Sequence, residues 1–307
     1  MTVLIEGAGG LVGSSLVKEF TKNTKEHVVG LFRNDLNLLN RSATFSYIES
    51  LKPRIVVDAA AKVGGIGANS SYPVEFLSEN LQIQTNLIDA CHAASVEKVI
   101  FLGSSCIYPR DCKQPIKEEY ILTGPLEPTN SAYALAKISG LELIKSYRKQ
   151  YKHKWITVMP TNLYGPNDNF DLDNSHVLPA LIRKFVEATN NRLKTITLWG
   201  TGAAIREFLY VEDLARAIVF CTENYDSDDH INIGTGIGIS IKQLAEKISE
   251  ITGFSGEIVW DKSKPDGMPV KVLDVGRIKS LGWSPTFSFD DGLVKTISWY
   301  KENRLND

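Results

Sequence analysis

The sequence has few features of a membrane, nucleic-acid-binding or metal-binding protein. No apolar run reaches membrane-spanning length, and the net charge of −2 gives no strong electrostatic footprint for nucleic acid. The four cysteines lack the paired spacing of a metal site. We therefore expect no membrane, nucleic-acid or metal partner, and reduced thiols typical of a cytoplasmic protein.

The sequence also contains no internal repeat and no low-complexity segment. It begins directly with the strand-like Val3–Ile5, from which we expect no targeting segment. Hydrophobic residues make up 43% and charged residues 23% of the chain, which is typical of a globular enzyme. The 307 residues suffice for one large domain or two ordinary ones.

A glycine-rich turn follows the first strand and precedes a helical stretch from Ser14 to about Asn23. Strand, glycine turn and helix form the context of a dinucleotide-binding fingerprint, although the spacing here is G-x-x-G-x-x-G. Such glycines allow a tight turn, a close approach of the pyrophosphate and close packing of the helix on the strand. The candidate cofactor-binding residues of this turn are Gly7, Gly10, Leu11, Val12 and Gly13.

The next two strands carry further candidate cofactor residues. Val28–Phe32 reads as a strand that ends at Arg33, and an arginine at this place suits the 2′-phosphate of NADP. Asp35 is close enough to leave NAD possible. Ala60 lies among small residues directly after the strand Arg54–Asp58, where the backbone can press against a cofactor.

Strands and helices then continue to alternate, which predicts an α/β fold with a Rossmann-type, doubly wound parallel sheet. Val74–Ala94 is predicted as a helix and Val99–Leu102 as the fourth strand. Ligands of such sheets bind at the carboxyl ends of the strands, where Ser104 and Cys106 follow. The next helix, Ser131–Tyr151, is preceded by Glu127–Asn130, a loop with capping residues.

Tyr133 and Lys137 lie four residues apart in this helix, and no other of the eleven tyrosines has a lysine at that spacing. Residues four apart share one helix face. A phenol ionises near pH 10, and a neighbouring ammonium group favours the phenolate and lowers that value. The pair is therefore a candidate device for proton delivery.

The fingerprint, the strand-end serine and Tyr-x-x-x-Lys, in this order, resemble the extended short-chain dehydrogenase/reductases. Further motifs are similar to those of the GDP-L-fucose synthase family, which acts as a GDP-4-keto-6-deoxymannose 3,5-epimerase/4-reductase. Together these motifs span nearly the whole chain: Ala59–Ile66, Gly103–Pro109, Met159–Phe170, Asn174–Val177, Trp199–Gly202, Arg206–Leu209 and Lys264–Gly267.

The resemblance implies an NADP(H)-dependent enzyme with two kinds of chemistry. In the reductive half, Tyr133 would protonate the C4 alkoxide with help from Lys137 and Ser104. In the epimerase half, protons leave C3 and C5 from one face and return to the other, and Cys106 and His176 match the acid/base pair of the family.

The resemblance also implies a GDP-sugar site, two domains and a dimer. An NADP-binding Rossmann domain would comprise 1–162 with 207–235, and a smaller α/β domain of 163–206 and 236–307 would bind the GDP-sugar. A homodimer is implied through Val74–Ala94 and Ser131–Tyr151. The implied substrate-binding residues, of which Asn162 also binds cofactor, are Asn162, Val177, Lys184, Trp199, Arg206 and Lys271.

Two departures from the family pattern bear on these roles. The family commonly has His-Arg in the first glycine turn, where this chain has Ala8-Gly9, so Arg33 alone would select NADP and dual cofactor use is conceivable. Lys184 replaces an arginine and loses bidentate phosphate binding. The motifs would also fit a GDP-4-keto-heptose enzyme or a reductase that does not epimerise. A nucleotide-sugar 4-epimerase, a 4,6-dehydratase or a non-catalytic NADP-sensing regulator is less consistent with these residues.

Overall fold

Twelve strands and ten α-helices appear in a computed structural model that describes residues 1–172, 174–264 and 266–304. Pro265 of the Lys264–Gly267 motif lies outside the described residues, as do 173 and 305–307. In chain order the strands are β1 Thr2–Glu6, β2 His27–Leu31, β3 Ile55–Asp58, β4 Lys98–Leu102, β5 Ile156–Pro160, β6 Asn162–Tyr164, β7 Thr195–Trp199, β8 Ile205–Tyr210, β9 Ile231–Ile233, β10 Gly238–Ser240, β11 Glu257–Asp261 and β12 Val270–Lys271. The helices are α1 Leu11–Asn23, α2 Arg41–Leu51, α3 Ile66–Ser71, α4 Pro73–Ala93, α5 Ser131–Tyr151, α6 Val177–Asn190, α7 Val211–Asn224, α8 Ile241–Thr252, α9 Gly276–Ser280 and α10 Phe289–Asn303.

The main sheet contains six parallel strands in the order β2-β1-β3-β4-β5-β9. Helices α1 and α7 pack together over one face, and α2, α4 and α5 cover the other. The central strands are apolar along almost their whole length because both faces are buried. The predicted doubly wound parallel fold is confirmed. It places the carboxyl ends of β1, β3 and β4 along one edge, where such folds bind ligands.

A second hydrophobic core lies beyond this edge. Strand β8 pairs with β6, β10 and β12, and β7 pairs with β11. Helices α6, α8 and α10 bury Phe185, Leu244 and Leu293 in this core. In the capping box of α8, the Ser240 side chain accepts a hydrogen bond from the Gln243 N–H, and the Gln243 side chain accepts one from the Ser240 N–H. The domain bounds given above stay a prediction.

Within the described residues, no helix combines the length and apolarity that crossing a membrane requires.

Candidate active site

The glycine turn between β1 and α1 is built for close backbone contact. Gly7 has a φ of +70°, and a Cβ at Gly13 would lie 2.1 Å from the Gly7 carbonyl oxygen, so both positions require glycine. Gly10 is the N-cap of α1 and has no side chain that could bond the first helical N–H groups, so these groups are left uncapped. The helix start at Leu11 and Val12 can therefore bind an anion, as a dinucleotide pyrophosphate would require.

The segment after β2 carries the residues that the sequence assigns to the ribose end of the cofactor. Arg33 is exposed, and no hydrogen bond or ion pair engages its guanidinium within the described ranges. Asp35, by contrast, accepts a hydrogen bond from the Phe32 N–H at 2.9 Å. Ala60 is packed against the glycine turn, where a Cβ on Gly7 would lie 3.2 Å from its Cα. Arg33 is thus available for a 2′-phosphate, whereas Asp35 is used locally.

Ser104, Tyr133 and Lys137 meet at the carboxyl end of β4. The Ser104 hydroxyl accepts a hydrogen bond from the Cys106 N–H at 3.3 Å and also hydrogen-bonds the Tyr133 side chain. Lys137 is buried one helical turn further along α5, and its ammonium donates to the Leu102 carbonyl at 2.7 Å. The α-helical spacing holds Tyr133 and Lys137 on one face of α5.

The pKa of the Tyr133 phenol lies above its ordinary value, opposite to the lowering that the sequence suggested. Burial is the largest cause and the Cys106 side chain adds to it, whereas the hydrogen bond with Ser104 acts in the other direction. Burial also lowers the pKa of the Lys137 ammonium. A phenol held in its protonated form is suited to donate a proton.

Cys106 lies on a short 3₁₀ turn, Ser105–Ile107, and is partly exposed. The Asn130 amide donates a hydrogen bond to its sulfur over 3.3 Å, and the Lys271 ammonium lies 3.6 Å from the same atom. The structure therefore places Lys271 against the thiol. Asn130 was among the residues expected to cap α5, but its side chain makes no bond to the helix, so that expectation is wrong because the amide turns to the thiol.

His176 is the N-cap residue of α6 and makes no side-chain bond to that helix. The residue as a whole is exposed, yet the protein packed around the imidazole and the positive charge of Lys271 both lower the pKa of that group. Lys271 also contacts Cys106, so one ammonium group links the two candidate acid/base residues. An imidazole of lowered pKa is neutral at pH 7 and can accept a proton.

Further predicted substrate residues lie farther out, on the second core. Trp199 is 66% exposed, and the Lys264 ammonium lies 5.4 Å from its ring centroid. Arg206 on β8 is the register partner of Lys271 on β12 and donates to the Asp266 carbonyl at 3.4 Å. Arg206 thus lies on the strand next to that of Lys271, whose ammonium contacts the Cys106 sulfur. It links the inner part of the cleft, at Cys106, with the outer part, at Trp199.

The other three predicted residues are spread along the same cleft. Asn162 begins β6, and its amide donates to the Glu207 carbonyl at 2.8 Å. Val177, at the start of α6, is 38% exposed. Lys184 donates to a carbonyl of β7 at 3.4 Å, the strand that ends at Trp199. No contact joins Lys184 or Trp199 to the thiol cluster in the described part of the chain.

Three residues of this region had no functional role assigned to them from the sequence. Asn130 contacts the Cys106 sulfur, and Glu6 and Asp58 are buried acids at the carboxyl ends of β1 and β3. The signal for the two acids was available, because each terminates an apolar run, Val3–Ile5 or Ile55–Val57. The Asn130 contact depends on tertiary packing and has no local signal.

The chain is similar to known proteins over most of its length. Residues 3–234 match the sequence model of the NAD dependent epimerase/dehydratase family. The chain is 45% identical to the GDP-L-fucose synthase of Escherichia coli (strain K12), with 98% of this chain and 97% of the relative aligned.

Two solved structures share the fold over nearly the full length. A GDP-6-OMe-4-keto-L-xylo-heptose reductase from C. jejuni has a TM-score of 0.92 at 34% identity, covering 99% of this chain and 98% of that one. A GDP-L-fucose synthetase from Naegleria fowleri bound to NADP has a TM-score of 0.92 at 30% identity, covering 98% and 94%. The chain therefore belongs to the GDP-L-fucose synthase group of the NAD dependent epimerase/dehydratase family.

Proposed function

We propose that this protein uses NADPH to reduce the C4 ketone of a GDP-4-keto-6-deoxy sugar and also epimerises that sugar at C3 and C5. The observation that carries the proposal is the meeting of two side-chain sets in one cleft. Ser104, Tyr133 and Lys137 form the first set, and Cys106 and His176, linked by Lys271, form the second. Reduction needs the first set, and proton exchange on two faces of the sugar needs the second.

The glycine turn and Arg33 fit a dinucleotide that carries a 2′-phosphate. The turn brings backbone N–H groups of α1 to the place where a pyrophosphate would bind, and Arg33 supplies an unengaged cation. Ala60, Lys137 and Asn162 complete the proposed cofactor site. When bound, NADPH supplies the hydride that reduces C4. These features support NADP(H) as the cofactor.

In the reductive step, Tyr133 donates its proton to the oxygen that develops negative charge at C4. The raised pKa of the phenol keeps this proton in place until the alkoxide forms. Ser104, which hydrogen-bonds Tyr133, donates a second hydrogen bond to the same oxygen. Lys137 holds positive charge beneath both groups, which stabilises the phenolate that remains after proton transfer.

In the epimerase step, Cys106 and His176 remove and return the protons next to the ketone. The Lys271 ammonium and the Asn130 amide both contact the Cys106 sulfur, which stabilises negative charge there during proton exchange. His176 is neutral at working pH because its pKa is lowered and so can accept a proton. Tyr133 stabilises the enolate oxygen, which is the former carbonyl oxygen.

The GDP portion of the substrate would lie along the outer part of the cleft, beside Val177, Lys184, Trp199 and Arg206. Burial lowers the pKa of the Arg206 guanidinium, and a diphosphate is a suitable partner for such a partly buried cation. Trp199 exposes its ring to solvent, where a base or sugar can stack on it.

The proposal is tested by incubating the protein with NADPH and GDP-4-keto-6-deoxymannose in D₂O. We expect NADPH oxidation and deuterium at both C3 and C5 of the product, measured by mass spectrometry and NMR. Absence of NADPH oxidation with this substrate and with the corresponding 4-keto-heptose would refute the reductase assignment.

A plain C4 reductase that acts after a separate epimerase is the second candidate. The similarity to a C. jejuni heptose reductase at a TM-score of 0.92 favours it. Such an enzyme would reduce a GDP-4-keto-hexose or -heptose without taking deuterium from solvent at C3 or C5. The same experiment therefore separates the two candidates.

Cofactor preference gives a prediction for Arg33. Replacing Arg33 with alanine should raise the KM for NADPH by about 10- to 100-fold, since a charge-assisted bond to the 2′-phosphate contributes ~1.5–3 kcal/mol. The KM for NADH should change little. Arg41→Ala is a matched control, because Arg41 is an exposed arginine already paired with Asp89 at 2.9 Å. Equal losses with both cofactors in Arg33→Ala would show that Arg33 does not contact the 2′-phosphate.

We further propose a cytoplasmic homodimer in which α4 and α5 pair with their copies. The two helices pack side by side in one chain and leave apolar side chains exposed, among them Val74 at 71% and Leu135 at 46%. Size-exclusion chromatography with light scattering should give twice the mass of one chain at micromolar concentration. Leu135→Glu should shift the protein toward the monomer, and a monomeric wild type would refute the dimer.

A further inference from the structure

Lys137 carries a charge that is nearly sealed from water. Its side chain is 4% exposed, and its ammonium lies 4.7 Å from the centroid of the Phe101 ring while it donates to the Leu102 carbonyl. One carbonyl and one aromatic face leave an ammonium group short of the compensation that burial demands. A nearby negative charge would supply the rest.

Two acidic residues lie in the row of the sheet beneath this ammonium. Asp58 is the register partner of Phe101 across β3 and β4. Extending the β1–β3 register beyond Ile5↔Val57 pairs Glu6 with Asp58. Register partners point to one face, and Phe101 faces the core under α4 and α5. Glu6, Asp58 and Phe101 thus lie side by side in one row on this face of the sheet. The Lys137 ammonium lies over the Phe101 end of the row.

Both acids are fully enclosed: Glu6 is 0% and Asp58 1% exposed. Within the described chain, no donor reaches any of their carboxyl oxygens in hydrogen-bond geometry, although the Ala60 N–H nearby stabilises the Asp58 carboxylate. Two enclosed carboxyl groups that sense each other's charge do not readily ionise together. With the Lys137 ammonium favouring the carboxylate of Asp58, the pair is suited to hold one negative charge.

We infer that Asp58 is a positioning residue whose carboxylate keeps the buried Lys137 protonated beneath Tyr133, while Glu6 stays neutral. The inference rests on the proposed reduction at C4, since Lys137 must carry its charge to stabilise the Tyr133 phenolate. Asp58, the last residue of β3, thereby adds a negative counter-charge to the set of Ser104, Tyr133 and Lys137.

The titration behaviour of the groups agrees with this division of roles. Burial raises the pKa of Asp58 only to about 6, because Lys137 favours the carboxylate. Burial and the charge of Asp58 together raise the pKa of Glu6 well above its usual range. Burial lowers the pKa of Lys137, and Asp58 opposes that lowering. At pH 7 to 8 Asp58 is therefore ionised, and its charge opposes the loss of the proton from Lys137.

Other titratable groups face this row from the neighbouring helices. Cys91 on α4 has a pKa raised by burial first and then by Asp58, so its thiol stays neutral. Tyr133 on α5 has a pKa raised by burial first and in part by Asp58. Tyr47 on α2 has a pKa raised by burial first and then by Asp35. None of these is ionised near neutral pH, so Asp58 supplies the negative charge that faces Lys137.

The test is the pH profile of kcat for NADPH oxidation with the GDP-4-keto sugar, measured from pH 5.5 to 9. Without the Asp58 charge the pKa of Lys137 falls, so Asp58→Asn should lose activity at alkaline pH about one unit earlier than wild type. That shift corresponds to a deficit of up to about tenfold near pH 8. Near pH 5.5 the two profiles should converge, because wild-type Asp58 is then largely protonated.

Glu6→Gln is the matched control, since glutamine imitates the protonated Glu6 in shape and charge. Its profile should follow wild type. A deficit of Asp58→Asn that is equal at every pH would overturn the inference, as would an equal alkaline shift in Glu6→Gln.

If Asp58→Asn does not fold by circular dichroism, Asp58→Leu removes the charge with an apolar side chain suited to the buried row. It should give the same alkaline shift, and an unshifted profile would refute the role of the charge. If wild type itself does not oxidise NADPH with the keto sugar, the proposed function fails instead, so the two failures are distinguishable.

Discussion

Replacing Tyr133 with phenylalanine should lower kcat for ketone reduction by about 10²–10⁴-fold, the usual contribution of general acid catalysis. The phenol lies beside Ser104 and one helical turn before Lys137, near the carboxyl end of β4, and burial keeps it protonated. Phenylalanine preserves the ring, which packs edge-on against Phe76 at a centroid distance of 6.3 Å. The fold and the cofactor site should therefore survive while the proton source is lost.

Stopped-flow measurement of NADPH oxidation tests this prediction, and a fluorescence titration checks that NADPH still binds. Tyr147→Phe is a matched control on the same helix. The Tyr147 hydroxyl lies away from the cleft and donates a hydrogen bond to the Asp89 carboxylate at 2.7 Å. That variant should keep the wild-type rate. If Tyr133→Phe reduced the ketone within tenfold of wild type, another group or water would be the acid, and the assignment of Tyr133 would be wrong.

The long elements of the fold could be predicted because each carries a repeating signal. Helix α5 spans Ser131–Tyr151, as predicted, and strand β4 spans Lys98–Leu102, one residue longer than the predicted Val99–Leu102. Helix α1 begins at Leu11 rather than Ser14, because Gly10 serves as its N-cap and the glycine turn obscures the helical pattern. Boundaries of this kind depend on capping geometry, which sequence patterns show poorly.

The elements that the sequence interpretation missed are mostly short. Strands β6, β9 and β10 have three residues each, too few to show alternation. Helix α2, Arg41–Leu51, was also missed, since its apolar pattern is weak and only two of its residues are buried. Pairing across the sheet, rather than local propensity, decides such segments.

In the candidate site, too, some residues have a local sequence signal, whereas other contacts depend on long-range pairing. Ser104, Tyr133 and Lys137 could be placed from strand ends and helical spacing, and the structure brings them together. The contact of Lys271 with Cys106 could not be predicted from spacing, because 165 residues separate the two. It exists because β12 pairs in register with β8 beside the cleft. Such long-range contacts determine which chemistry the cysteine can perform.

Replacing Cys106 with serine should separate the two halves of the proposed chemistry. Serine can retain the hydrogen bond from Asn130 but is a much weaker acid than cysteine, so it cannot readily carry the negative charge that Lys271 would stabilise. We expect deuterium incorporation into the keto sugar from D₂O to slow by about 10²-fold or more. Reduction of an already epimerised keto sugar should survive, because Ser104, Tyr133 and Lys137 are untouched.

The measurement is deuterium content at C3 and C5 by NMR over time, with and without NADPH. Cys112→Ser is the matched control, since Cys112 is also partly buried but does not contact Asn130, and it should exchange at the wild-type rate. His176→Asn should impair the exchange as well, because the imidazole, whose pKa is lowered by burial and by Lys271, is the other proposed proton carrier. Wild type that reduces its GDP-4-keto sugar without any deuterium at C3 or C5 would contradict the epimerase assignment. The protein would then be a C4 reductase, in which the Cys106–Lys271 contact serves to hold the sugar.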